Sequence, residues 1–298
     1  MDKVKLMREE VATRIVANDE VIDHILTCLF AAGHILVESP PGLGKTEISK
    51  TVAETMDMEF KRIQCTPDLK PADIIGELRS EMFVKGPLFT NILLVDEINR
   101  ALPKTQSAFL EAMAEKNATL GGRPHSLPEP FMVVATQNPV EYEGTYNLPE
   151  AQQDRFLLKT HMTYLAPDDE KAAIRMASAK KQVKKLFTPG EVIELQRKVR
   201  EEVEAGEDVV DYIVALVGAT RARKEVLVGA STRAAILFTQ ATKAKAFLEG
   251  RTEASVDDAR ALAHPVLRHR LLMNPDSKNF GYTSDDLIED LLRKVREP

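Results

Sequence analysis

The feature that most constrains this chain is a short loop that joins an apolar run to a helical pattern. Residues 34–38 form the apolar run, residues 39–46 are rich in glycine and proline, and helical periodicity begins at Lys45. A strand, a tight loop and a helix in this order can cradle phosphate, because backbone N–H groups converge on its oxygens at the start of the helix. The segment therefore predicts a phosphate-binding loop, in which Lys45 neutralises the phosphates and the Thr46 hydroxyl holds Mg²⁺.

The loop matches the phosphate-binding pattern at every defined position except the first. The pattern Gly-x-x-x-x-Gly-Lys-Ser/Thr ends on Gly44, Lys45 and Thr46, but Ser39 stands at its first position. Serine adopts positive φ less readily than glycine, so we expect a stiffer or slightly reshaped loop entrance. The residues predicted to surround a nucleotide here are Ser39, Pro40, Pro41, Gly42, Leu43, Gly44, Lys45 and Thr46.

A second predicted strand ends in two acidic residues. Residues 91–97 run through consecutive apolar residues to Asp96 and Glu97. Ligands collect at the carboxyl ends of strands in open parallel sheets, so Asp96 could hold Mg²⁺ through water opposite Thr46. Glu97 could then polarise an attacking water as a general base. A solvated strand end is the simpler alternative. The position of Asp96 after an apolar strand, 51 residues beyond Lys45, favours the metal site.

Two further positions allow more than one interpretation. The predicted strand at 131–138 ends at Asn138, which could orient the attacking water, touch the terminal phosphate, or only form a turn before Pro139. Ile15 and Val16 lie between two predicted helices and could contact an adenine ring or belong to the core. Both alternatives remain open at these positions.

The periodicity of the chain changes near residue 165. Strands and helices alternate before this point, which is typical of an α/β fold with a parallel sheet. Only helical periodicity follows, so the sequence predicts a nucleotide-binding α/β domain over 1–165 and an all-helical domain over 166–298. The predicted helices of the second domain lie at about 168–181, 189–203, 208–222, 233–249, 255–270 and 284–295.

Composition restricts the classes of function. The net charge of -6 and the pI of about 5.7 argue against nucleic acid as the main partner. The sequence has no apolar run long enough to span a bilayer, and its charged first residues lack the apolar core of a signal peptide. The two cysteines have no metal-like spacing, which fits a reducing cytoplasm.

Longer sequence blocks carry a more specific resemblance. Beyond the loop and the acidic strand, the chain has characteristic segments in both predicted domains, and with them it resembles the AAA+ ATPases and, among these, the MoxR family. The resemblance implies a three-layer αβα core with a helical lid, bound ATP and Mg²⁺, and ATP hydrolysis. The segments are DEINRA at 96–101, TQNPVEYEGTY at 136–146, LPEAQQDRF at 148–156, GASTRA at 229–234 and HPVLRHR at 264–270.

The resemblance also implies roles and partners. Asn138 is expected to be the sensor 1 residue, and Arg155 the arginine finger that completes the site of a neighbouring subunit. Arg233 is expected to be sensor 2, which reaches the γ-phosphate. The family assembles into rings, with a hexamer the expected size, and remodels or matures protein clients in a chaperone-like manner. Its partners often carry a von Willebrand factor A domain, and no nucleic acid or membrane partner is expected.

The chain departs from the family pattern in three places, and two other functions compete. The departures are Ser39, Thr232 in place of a proline before the sensor 2 arginine, and a short insert at 77–90. One alternative is an AAA+ motor or loader that acts on nucleic acid, which the acidic pI disfavours. The other is a scaffold that binds ATP but scarcely hydrolyses it. The presence of Glu97, Asn138, Arg155 and Arg233 disfavours the scaffold.

Overall fold

The structure, a computed structural model, describes residues 2–79, 82–138, 144–177 and 182–296. The chain divides into two compact units. Unit 1 comprises Met1–Leu148 and Thr160–Leu195, and unit 2 comprises Pro149–Lys159 and Gln196–Pro298. This division does not coincide with the boundary predicted after residue 165, because residues 149–159 group with unit 2 and residues 166–195 group with unit 1. The domain boundary after residue 165 stays a prediction.

Thirteen strands occur among the described residues, most of them short. In chain order they are β1 (Ile35–Glu38), β2 (Phe60–Gln64), β3 (Gly76–Arg79), β4 (Met82–Lys85), β5 (Ile92–Asp96), β6 (Asn117–Leu120), β7 (Arg123–Ser126), β8 (Met132–Gln137), β9 (Leu158–His161), β10 (Glu204–Ala205), β11 (Val226–Val228), β12 (Glu253–Ala254) and β13 (Leu272–Met273).

Helices account for much of the remaining described chain, and none of them is long and apolar enough to cross a membrane. In chain order they are α1 (Asp2–Ala12), α2 (Asp19–Phe30), α3 (Lys45–Thr55), α4 (Pro71–Ile75), α5 (Pro103–Glu115), α6 (Glu150–Gln153), α7 (Pro167–Ala177), α8 (Pro189–Glu201), α9 (Glu207–Arg221), α10 (Thr232–Leu248), α11 (Val256–Leu267), α12 (Pro275–Asn279) and α13 (Ser284–Lys294), with a 3₁₀ turn at Ile98–Arg100.

A five-stranded sheet with the order β2-β5-β8-β1-β9 forms the centre of the fold. Strands β2, β5, β8 and β1 pair in parallel, and every residue of β5 is buried. A parallel strand covered on both faces needs such a continuous apolar run, which is the pattern that predicted β5. The register aligns Gln64 with Asp96 and Val95 with Ala135, so the carboxyl ends of three neighbouring strands lie side by side.

Unit 1 also contains two antiparallel strand pairs. Strands β3 and β4 pair from Gly76↔Lys85 to Arg79↔Met82. Strands β6 and β7 form a hairpin that reverses at Gly121 and Gly122, both with positive φ.

Unit 2 is mainly helical, as predicted. Helices α9, α10, α11 and α13 pack together around buried side chains that include Tyr212, Phe238 and Leu262. Two short strand pairs, β10 with β12 and β11 with β13, were not predicted. Each strand has only two or three residues, which is too few for hydrophobic periodicity to reveal.

Candidate nucleotide-binding site

The predicted phosphate-binding loop connects the inner strand β1 to helix α3. The Ser39 amide donates to the Gln137 carbonyl of β8 at 3.0 Å, which fixes the start of the loop on the sheet. Gly42 and Gly44 have φ of 84° and 81°, and a Cβ built on either would meet no atom within 4 Å. Glycine is needed at both positions because the backbone has positive φ there. The space beside these two glycines is open. Positive φ does not occur at Ser39, so the missing first glycine causes no backbone conflict.

The side chain of Lys45 lies back against the loop. Its ammonium donates to the Ser39 hydroxyl at 2.8 Å and to the Pro40 carbonyl at 3.2 Å. Burial lowers the pKa of Lys45, the carboxylates of Asp96 and Glu97 oppose this, and Arg62 reinforces it. The carboxylates at the end of β5 therefore act electrostatically on the loop lysine.

Asp96 is buried and held from two neighbouring strands. Its Oδ1 accepts from the Thr136 hydroxyl of β8 at 2.6 Å. Its Oδ2 accepts from Nη2 and Nε of Arg62, on β2, at 2.6 and 3.2 Å. Arg62 also donates to the side-chain oxygen of Gln64 at 2.7 Å. The sequence did not single out Arg62 or Thr136, since their approach to Asp96 from the two neighbouring strands depends on strand register.

Glu97 follows β5 in a left-handed conformation, with φ of 55°. Its amide donates to the Thr136 hydroxyl at 2.9 Å, so one threonine orients both acidic residues. Its carboxylate accepts from Arg100 at 3.0 Å, within the turn that follows the strand. Glu97 is partly exposed, with a side-chain accessibility of 20%, and water can reach it.

Asn138 directly follows β8 and is half buried. It comes after the strand next to β5, which places it at the same edge of the sheet as Asp96. Residues 139–143, which belong to the family segment at 136–146, lie outside the described residues.

Ile15 and Val16 both line a cleft of about 940 Å³ in unit 1. The cleft reaches Gly42, Leu43 and Gly44 of the loop, and α7 and the segment before it form its other side. Ile15 is buried and Val16 half buried, so the pair contributes to the core and to the cleft wall. The sequence did not point to Tyr164, which also lines the cleft and is 72% exposed.

Arg155 and Arg233 both belong to unit 2. Arg155 follows the short helix α6 and is half buried. Arg233 is the second residue of α10, and its Nε lies 3.9 Å from Oδ2 of Asp154. Thr232 opens this helix, and the Ser231 hydroxyl caps it by accepting from the Ala234 amide at 3.2 Å. The helix therefore starts normally without the proline that the family pattern has.

The chemistry of the donor set fits a nucleoside triphosphate with Mg²⁺. Left-handed glycines leave room beside the loop, Lys45 supplies a cation, and Asp96 supplies a carboxylate at the end of β5, which β8 separates from β1. Thr46 lies in the first turn of α3, half buried, where its hydroxyl suits a hard cation. Thr46 and Asp96 are the residues that would hold the metal.

Comparisons with known proteins agree with this arrangement. The model of the ATPase family associated with various cellular activities (AAA) matches residues 34–158, and that of the AAA lid domain matches residues 218–291. The crystal structure of a Cytophaga hutchinsonii protein assigned as an ATPase superimposes with a TM-score of 0.94 at 41% identity, and the match covers 100% of this chain and 95% of that one.

Three curated relatives extend the similarity to nearly the whole chain. The uncharacterized protein YeaC of Bacillus subtilis is 40% identical over 282 residues, covering 92% of this chain and 88% of that protein. Chaperone MoxR1 of Mycobacterium tuberculosis is 39% identical over 309 residues, covering 97% and 81%. Protein MoxR of Methylorubrum extorquens is 28% identical over 329 residues, covering 99% and 94%. With matching core and lid models and relatives of this extent, the chain belongs to the MoxR family of AAA+ ATPases.

Proposed function

We propose that the protein binds ATP with Mg²⁺, hydrolyses it, and uses the reaction to change the conformation or assembly of protein clients. One observation carries most of the proposal. The Thr136 hydroxyl holds both Asp96 and the main chain of Glu97, and both carboxylates lie close enough to affect the pKa of Lys45. This arrangement supports the proposed roles of Asp96 as the metal-holding acid, Glu97 as the base and Lys45 as the phosphate-binding cation, which phosphoryl transfer needs close together.

In the proposed site the loop from Ser39 to Thr46 binds the phosphates, with Lys45 as their counter-charge. When bound, Mg²⁺ held by Thr46 and Asp96 supplies charge neutralisation. Glu97 takes the proton of the attacking water. Its carboxylate accepts a hydrogen bond from Arg100 in the structure, and it has to give up this bond to accept the water. Asn138, at the neighbouring strand end, orients the water or contacts the γ-phosphate. Each of these roles rests on position at the sheet edge and on the family pattern.

The adenine base is assigned to the cleft beside the loop. Ile15 and Val16 contribute apolar surface there, and the cleft volume of about 940 Å³ is ample for a nucleoside. The exposed ring of Tyr164 offers a stacking surface for a planar base. These features suit a planar base, and membership of the ATPase family supports adenine as that base.

For the assembled protein, we propose a ring, with a hexamer as the expected size. Arg155 acts in it as the finger for a neighbouring subunit's ATP, and Arg233 as sensor 2. A charge supplied between subunits makes hydrolysis depend on assembly. A relative named as a chaperone supports a protein client, and a protein with a von Willebrand factor A domain is the partner class we would test first.

The test measures ATP hydrolysis against protein concentration, with the molecular mass determined in parallel with and without ATP. We expect the turnover per subunit to rise as the ring assembles. Glu97→Gln should bind ATP within about twofold of the wild type and lose roughly 100-fold or more in turnover, since only the base is removed. Glu115→Gln, an exposed carboxylate at the end of α5, is the matched control and should behave as the wild type.

Two outcomes would overturn the proposal. If Glu97→Gln hydrolyses ATP as fast as the wild type, Glu97 is not the general base. The second outcome is an assembled ring that binds ATP tightly but does not hydrolyse it, even after a purified client candidate is added. That result would favour the scaffold instead.

A further inference from the structure

The segment that carries Arg155 is fastened to unit 2 by a buried arginine. Arg270 follows α11, and only 2% of its side chain is exposed. Its Nε donates to Oδ1 of Asp154 at 2.8 Å, and Nη2 donates to the Asp154 and Phe156 carbonyls at 3.3 and 2.6 Å. Nη1 donates to the Leu157 carbonyl at 3.1 Å and to the Val266 carbonyl. Four of these five acceptors belong to the turn at 154–157, in which Arg155 lies.

His269 forms a further hydrogen bond with the same turn. Its Nε2 lies 3.0 Å from the Phe156 carbonyl, and burial together with the charge of Arg270 lowers its pKa well below the usual value. The ring is therefore neutral, and the tautomer with a proton on Nε2 donates to that carbonyl. The Phe156 side chain is fully buried, so the turn is fixed by apolar packing as well as by hydrogen bonds.

Asp154 connects this turn to the other arginine of the proposed site. While its Oδ1 accepts from Arg270, its Oδ2 lies 3.9 Å from Nε of Arg233. Arg270 is buried, whereas the Arg233 side chain is 55% exposed. The contact between Asp154 and Arg270 is therefore buried and stable. The contact between Asp154 and Arg233 is a long, exposed ion pair, which Arg233 can break to bind another anion.

We propose that Arg270 is a positioning residue for Arg155, and that Asp154 joins Arg155 and Arg233 into one assembly within unit 2. The inference rests on the proposed function, because it requires Arg155 to act on ATP. Charge stabilisation in phosphoryl transfer requires a side chain held within a fraction of an ångström. A guanidinium bound to one carboxylate and three carbonyl groups of the turn provides that precision, which a lysine ammonium cannot reproduce.

The structural arm of the test compares amide hydrogen exchange in Arg270→Lys and in the wild type. We expect faster exchange confined to about residues 152–158. Arg251→Lys is the matched control: Arg251 also binds an aspartate of unit 2, Asp258, through two nitrogens, but it has no bond to the turn. Unchanged exchange at the turn in Arg270→Lys, or equal changes in the control, would overturn the inference.

The kinetic arm distinguishes positioning from general stability. Arg270→Lys should lower kcat by roughly tenfold or more, with the Kd for ATP within twofold. In an Arg155→Ala background the same substitution should have no further effect, since the residue it positions is gone. Mixing Arg270→Lys subunits with Glu97→Gln subunits should restore turnover, because the second kind supplies an intact finger. Additive losses, or no recovery on mixing, would contradict the inference.

A milder variant covers the case in which Arg270→Lys does not fold. Asp154→Asn keeps an acceptor for Arg270 but removes the charge, so we expect a smaller loss of kcat, again absent in the Arg155→Ala background. If Arg155→Ala alone retains full turnover, the finger assignment in the proposed function fails. If Arg155→Ala is inactive while Asp154→Asn and Arg270→Lys are both fully active, only the further inference fails.

Discussion

At the scale of single residues, Ser39 provides an acceptor that glycine would not. Its buried hydroxyl accepts from the Lys45 ammonium at 2.8 Å and donates to the Pro40 carbonyl at 3.0 Å. A phosphate has to compete with this hydroxyl for the ammonium. The departure from the family pattern thus affects the electrostatics of the loop rather than its backbone.

We therefore predict that Ser39→Gly binds ATP more tightly. A buried hydrogen bond to a charged group contributes about 1.5 kcal/mol. The Lys45 ammonium is only half buried, so we expect about 1 kcal/mol, which is a gain of roughly fivefold in affinity. Titration with a fluorescent ATP analogue would measure it. Ser49→Ala is the control, because Ser49 bonds only the Lys45 carbonyl at 3.0 Å. An unchanged or larger Kd in Ser39→Gly would refute the competition.

Thr136 is the other residue whose small side chain has a large expected effect. Thr136→Val keeps the shape but leaves Oδ1 of Asp96 and the Glu97 amide without their partner. We expect a loss of roughly 1–3 kcal/mol in the free energy of unfolding, measured by thermal or denaturant unfolding. Turnover should fall by at least about tenfold, since both acids lose their orientation.

Thr160→Val tests whether the loss of turnover follows from lower stability alone. Thr160 is also buried, on β9, and its hydroxyl lies 3.0 Å from Nδ1 of His24. This variant should be destabilised to a similar extent while its turnover stays near that of the wild type. Equal losses of turnover in the two variants would mean that Thr136 has no special role.

At the scale of elements, the contact between α11 and α13 should depend on pH. Nδ1 of His264 lies 3.3 Å from Asp285, and Nε2 lies 3.5 Å from Glu289. The hydrogen bond with Asp285 is the main cause that raises the pKa of His264, with Glu289 adding to it and burial and Arg268 opposing it. The two carboxylates therefore favour the protonated ring, and their contacts with it link α11 to α13.

The sign of the pH effect follows from this direction. Because the folded pKa is raised, the stabilisation is fully present below the ordinary histidine pKa of about 6.5 and is lost as pH rises through the folded value. Unfolding from about pH 5.5 to 8.5 should show wild-type stability falling toward alkaline pH more steeply than that of His264→Gln. Parallel pH profiles for the two proteins would contradict the prediction.

At the scale of the whole molecule, the proposed ring makes each active site depend on two subunits. Arg155→Ala and Glu97→Gln should each lose turnover while still binding ATP. A mixture of the two should regain part of it, because some sites then combine an intact Glu97 with an intact Arg155. Steady-state hydrolysis against mixing ratio would show a maximum at intermediate ratios.

The control for complementation mixes two variants that each damage the subunit's own ATP-binding side of the site and leave its Arg155 intact. Lys45→Ala should weaken ATP binding itself, and subunits with this change, mixed with Glu97→Gln subunits, should recover nothing. Recovery in this control, or its absence in the Arg155→Ala mixture, would argue against a finger that acts between subunits.

The sequence by itself determined the main strands and helices and the loop chemistry of this protein. The Gly-Lys-Thr motif, the apolar strand before Asp96 and the helical periodicity after residue 165 are all local patterns. Each of them depends on residues a few positions apart, so hydrophobic spacing and turn chemistry suffice to predict β1, α3, β5 and the helices of unit 2. The family blocks then linked Asn138, Arg155 and Arg233 to roles that spacing alone left open.

Only the tertiary structure decided which side chains surround these groups. Asp96 is held by Arg62 and Thr136, which are 34 and 40 positions away, and Asp154 is bound by Arg270, 116 positions away. Such pairs follow from strand register and helix packing, where a shift of one residue turns a side chain to the opposite face. The grouping of residues 149–159 with unit 2 has the same origin, because it follows from long-range packing that no local pattern in the sequence records.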